Sequence, residues 1–111
     1  MTVVEVDPFP ARAADVWDEG QKGAFIDFIA RHPEAGDVIP GTCGVRKVRW
    51  AASGRGKRGG ARVVYYFYDE TAPLFLLTVY AKGAQADLTA DEKRAVAALV
   101  SALKTKLRKR P

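Results

Sequence analysis

The chain has 111 residues, 48% of them apolar, a formal net charge of +5 and one cysteine. That size suits one domain, 1–111, around a single core. No apolar run reaches the roughly 18 residues of a membrane span, the opening MTVVEVDPFP is not expected to act as a secretory signal, and a lone Cys43 without a disulfide partner fits a cytoplasmic protein.

Thr2–Val6 alternates weakly and reads as a short strand, ended by Asp7-Pro8. Arg12–Trp17 suits a short helical turn, and Asp18 or Glu19 opens a second helix carrying Phe25, Ile26, Phe28 and Ile29. Arg31-His32-Pro33 ends it, because a proline pushes the preceding residue out of the α region. The only histidine, His32, therefore decorates a helix C-terminus, where a cation meets the dipole. Glu34–Cys43 reads as loop, and Cys43 as structural.

Three runs of β-branched and aromatic residues follow: Val45–Ala51, Ala61–Tyr68 and Leu74–Ala81. Their short connections predict an antiparallel meander. Alternation puts Lys47 and Arg49 on one face of the first strand, with Val48 and Trp50 on the other, the side shared by Arg46. On the second strand Arg62, Val64, Tyr66 and Tyr68 share a face opposite Val63, Tyr65 and Phe67. The third strand is apolar nearly throughout, as a central strand covered on both faces would be. Thr89-Ala90-Asp91-Glu92 is a capping box, and Val96, Leu99, Val100, Leu103 and Leu107 form the stripe of a last helix that closes in cations.

Charge is spread unevenly along this plan. Residues 1–37 carry a net −5, residues 38–68 a net +7 and residues 69–111 a net +3. Val38 to Tyr68 holds no acid and seven cations: Arg46, Lys47, Arg49, Arg55, Lys57, Arg58 and Arg62. Such a stretch suits a polyanion or an acidic protein. Three of these cations lie in the glycine-rich loop Ala52–Gly60, whose backbone can approach phosphates closely. The loop lacks the spacing of a Walker A sequence. Tyrosines beside it could stack RNA bases or simply pack the sheet. RNA brings its own nucleophile, the 2′-hydroxyl. A lysine among arginines can then serve as base, and arginine forks can hold the phosphate. Plain RNA binding uses the same residue types.

The run GVRKVR from Gly44, the loop GRGKRGGAR, RVVYYF from Arg62 and LLTVYAK ending at Lys82 resemble the RelE/HigB-like toxins of bacterial type II toxin–antitoxin systems. The resemblance implies a small α+β fold of the RelE/ParE kind. It would have an antiparallel sheet, made of the N-terminal strand and the meander, packed with N-terminal helices and a C-terminal helix. It implies a metal-independent, cofactor-free endoribonuclease that cuts mRNA in the ribosomal A site and inhibits translation. The implied partners are a cognate antitoxin, mRNA and ribosomal RNA. The implied catalytic residues are Lys47, Arg49, Arg62 and Lys82, with Lys47 the first choice for general base and Lys82 the second. The implied RNA-binding residues are Arg46, Arg55, Lys57, Arg58, Tyr66 and Tyr80. Many family members carry a base-stacking tyrosine past the last strand, where this chain reads Gln85-Ala86-Asp87-Leu88. Two other readings stay open: a ParE-like inhibitor of gyrase, and a non-catalytic RNA-binding protein.

Overall fold

The computed structural model describes residues 1–52 and 60–109. In chain order the elements are strand β1 (Val3–Glu5), helices α1 (Phe9–Val16) and α2 (Glu19–Arg31), strands β2 (Asp37–Val38), β3 (Arg46–Trp50), β4 (Ala61–Tyr66) and β5 (Leu74–Ala81), and helix α3 (Ala90–Arg108). They build an α+β fold on a five-stranded sheet in the order β1-β5-β4-β3-β2.

The expected meander is present: β3 pairs antiparallel with β4, and β4 with β5. Two features correct the expected four-stranded antiparallel sheet, one in direction and one in strand number. The N-terminal strand runs parallel to β5, with Val3 opposite Leu74 and Glu5 opposite Leu76, so the sheet is mixed. The physical reason is the route of the chain, which passes through both N-terminal helices before reaching the meander, and a long crossover permits a parallel pair. The segment read as loop also contributes a two-residue edge strand, β2, antiparallel to β3.

Helices cover both faces of the sheet. On one side α1 and α2 bury Phe9, Ala13, Val16, Phe25 and Ile29 against Val63, Tyr65, Leu76 and Val79. On the other side α3 buries Val96 and Val100 with Val45, Val64, Tyr66, Leu77 and Tyr80. This two-sided cover explains the apolar run of β5, which lies between β1 and β4. Both long helices start at capping boxes: Asp18 with Gln21 for α2, and Thr89 with Glu92 for α3. His32 caps the C-terminus of α2 as expected. No helix among the described residues is long and apolar enough to cross a membrane.

Two tethers hold strand β3 and its neighbour β2 in place. The Tyr65 hydroxyl, fully buried, accepts from the Gly36 N–H at 2.8 Å and donates to the Pro33 carbonyl at 2.8 Å. Gly36 must be glycine there, because a Cβ would lie 2.9 Å from both the Lys47 carbonyl oxygen and the Tyr65 ring. At the other end the Trp17 indole donates to the Ala51 carbonyl at 2.6 Å. Trp17 stacks on Phe25, with ring centroids 5.3 Å apart, and Phe25 meets Trp50 edge-on.

Candidate nucleic-acid interface

Strand register brings distant cations together. Arg49 on β3 lies opposite Arg62 on β4, and Arg62 lies opposite Tyr80 on β5. Lys47 is two residues along β3 from Arg49, so it shares that face. The neighbours Val64, Tyr66 and Tyr80 belong to the α3-side core, which fixes the side of the sheet that carries the row. Lys82 follows β5 directly: its N–H donates to the Gly60 carbonyl at 3.0 Å and its ammonium to the Ala86 carbonyl at 2.8 Å. Lys47, Arg49, Arg62 and Lys82 thus come from three segments to one end of the sheet.

Tyr80 reaches this face through an irregularity. Val64 pairs with Thr78 but Tyr65 pairs with Leu76, so Leu77 is an extra residue on β5. Before it, Leu74 and Leu76 point to the α1/α2 core; after it, Val79 and Ala81 do. The bulge therefore turns Tyr80 toward Arg62. Tyr80 is only 4% exposed, so its ring cannot stack on a base.

One acid enters the row. A single Asp87 oxygen lies 3.3 Å from the Lys47 ammonium and 3.4 Å from the Tyr80 hydroxyl, which donates to it. The same oxygen accepts from the Leu88 N–H at 2.8 Å. That backbone hydrogen bond, helped by Lys47 and opposed by partial burial, holds the Asp87 carboxyl below its usual range. Burial, then the Asp87 charge and hydrogen bond, push the Tyr80 phenol up to about 12, so it stays a neutral donor at physiological pH.

Not every expected contact residue joins the row. Arg46 faces the other side, opposite the buried Tyr65. Its guanidinium donates to the Gly36 carbonyl at 2.7 Å and lies 3.9 Å from the Glu34 carboxylate, so it fastens the loop before β2. Tyr66 is 2% exposed in the α3-side core, and burial raises its phenol; a packed ring of this kind cannot stack on a base. Arg55, Lys57 and Arg58 lie outside the described residues. Sequence reading missed Asp87. The available signal was that it is the only acid between Glu70 and Asp91, set next to a strand end that carries Lys82.

A mixed sheet with helices on both faces and a cationic row at one end defines a small α+β domain suited to polyanions. Residues 37–110 match the model of a family described as the RelE toxin of the RelE / RelB toxin–antitoxin system. The chain belongs to the RelE toxin family, and as a toxin of such a system it has a cognate antitoxin as its partner. The matched span takes in β2 through α3 and every residue of the row.

Proposed function

We propose that the protein is a ribosome-dependent endoribonuclease of the HigB branch that cuts mRNA in the A site of the translating ribosome, in the cytoplasm of a bacterium. The observation that carries this reading is the cross-strand row Arg49–Arg62–Tyr80, flanked by Lys47 and Lys82. A 2′-oxygen attacks the adjacent phosphorus, the P–O bond to the next nucleotide's 5′-oxygen breaks, and a 2′,3′-cyclic phosphate and a 5′-hydroxyl result. Arg62 and Arg49 hold the non-bridging oxygens, because a guanidinium fork donates two hydrogen bonds to a phosphate at once. Charge that develops on those oxygens meets a fixed pair of cations. Lys47 is the first choice for taking the 2′-proton and Lys82 the second. Either would have to be the neutral amine to accept that proton; at present Lys47 contacts Asp87 and Lys82 contacts the Ala86 carbonyl. The proton returns to the departing 5′-oxygen. Arg55, Lys57 and Arg58, which lie outside the described residues, would contribute phosphate contacts, and the Tyr80 hydroxyl would orient the nucleotide.

Primer extension on a reporter mRNA in a reconstituted translation reaction tests the proposal. Cuts at defined codon positions only when ribosomes are present would support it. Cutting of free RNA would replace it with a ribosome-independent nuclease. Intact mRNA in both reactions would refute it.

A further inference from the structure

Glu92 does more than a capping residue needs to do. A capping box asks only one contact of the side chain at the third helical position, to the N–H of the cap residue. Glu92 makes it, accepting from the Thr89 N–H at 2.9 Å. The same oxygen also accepts from the Gln85 side-chain amide at 3.1 Å. The second oxygen is ion-paired with Arg12 of α1 at 2.9 Å. Arg12 in turn donates to the Thr78 hydroxyl on β5 at 3.2 Å. Helices α1 and α3 thus meet on one carboxylate that is only 23% exposed, and Arg12 links the pair to strand β5. Burial of Glu92 is outweighed by these hydrogen bonds and by Arg12, and its carboxyl is held below the usual range.

The contact through Gln85 leads to the cationic row. The Gln85 amide donates to the backbone carbonyl of Asp87 at 2.8 Å as well as to Glu92. Asp87 is the residue whose carboxylate touches Lys47 and Tyr80. Ala86, between them, receives the Lys82 ammonium. The segment between β5 and α3 therefore sets three groups of the row, and its own place is set by Gln85.

We infer that Glu92 is a positioning residue: clamped by Arg12 on one oxygen, it holds Gln85 with the other and so fixes the Asp87 carboxylate between Lys47 and Tyr80. The inference rests on the nuclease reading for its consequence, which is that the clamp governs turnover rather than RNA affinity. Glu92 and Gln85 carry no positive charge and lie outside the cationic row, so losing either should leave binding nearly intact. Misplacing a reacting group by about 1 Å can cost on the order of 100-fold in rate.

The test compares wild type with Glu92→Gln, Gln85→Ala and Arg12→Met. Glu92→Gln retains an oxygen for the Thr89 N–H and the Gln85 amide but removes the anion that Arg12 clamps, so the helix start is kept while the clamp is released. Thermal melts set a working temperature at which every variant is folded. Affinity is measured on programmed ribosomes carrying a 2′-O-methylated, uncleavable codon, and turnover on the cleavable codon. The expected result is a dissociation constant within about twofold of wild type, a cleavage rate at saturation lowered about tenfold or more, and no further loss in the Glu92→Gln/Gln85→Ala double variant. Wild-type rates in the folded single variants, or weaker binding at an unchanged saturating rate, would overturn the inference while leaving the nuclease reading in place. If wild type itself cleaves nothing, the nuclease reading falls, and amide NMR still decides the clamp. The Asp87 and Leu88 resonances should shift in Arg12→Met and Glu92→Gln. Shifts confined to the neighbours of residues 12 and 92 would overturn it.

Discussion

Arg49 and Arg62 stand directly opposite each other on adjacent strands. Like charges so placed weaken a sheet, by up to about 1 kcal/mol. A protein selected for stability alone would gain from replacing one of them. Arg62→Ala removes that repulsion and also gives up a long hydrogen bond to the Ala61 carbonyl, 3.4 Å. For a partly buried surface side chain the expected stability change lies within about 0.5 kcal/mol of zero. In a domain of this size that is a melting shift of about 2 to 4 °C in either direction. The effect on cleavage should be far larger. Loss of one fixed donor to developing charge costs on the order of 100- to 1,000-fold in rate. The assay pairs a circular-dichroism melt with single-turnover cleavage on a programmed ribosome. A folded Arg62→Ala protein that cleaves within about threefold of wild type would refute the assignment of the row, because the residue's catalytic share would then be well below what such donors supply. A fall of more than about 10 °C in melting temperature would refute it differently, by showing that Arg62 contributes mainly to folding.

The remaining expectations concern the scaffold and its titration. Tyr65→Phe leaves the buried Gly36 N–H and Pro33 carbonyl without their partner, and should cost about 1 to 3 kcal/mol in urea unfolding. Gly36→Ala should cost at least as much, since the added Cβ meets backbone as well as ring; a neutral effect of either change would mean that the loop before β2 moves away easily. Asp87 and Glu92 have depressed carboxyls, so the stability they confer is present above ordinary carboxylate values and is lost as pH falls through their folded-state values. Urea titrations from neutral to acid pH should show this loss, and the Asp87→Asn/Glu92→Gln double variant should lose less stability over the same range. Tyr80 shows the opposite sign. Its phenol is raised to about 12, so its contribution is complete below pH 10 and is lost as pH rises through the folded value. Tyr80→Phe should flatten that alkaline decline; an unchanged decline would assign it to other groups.

What the sequence made legible, and what it hid, follows from the range of each signal. The strand β5 and the capping box of α3 were readable to the residue, because a continuous apolar run and Thr-x-x-Glu spacing are local. The face shared by Lys47 and Arg49 was readable for the same reason. The direction of β1 was not, since a three-residue strand says nothing about a partner some seventy residues away. Edge strand β2, with both residues exposed, carries no alternation at all. Asp87 was invisible because a lone acid in a connecting segment has no pattern; its meaning lies in Lys47, forty positions earlier. Tyr80 is the most instructive case. Counting alternate residues from Leu74 places it on the α1/α2 side, and the single extra residue at Leu77 reverses the parity of everything beyond it. The same reversal that takes Tyr80 out of the first core gives Arg62 a hydroxyl beside it and gives Asp87 a donor. One inserted residue therefore decides whether the row is two arginines across a sheet or a site with a neutral donor at its centre.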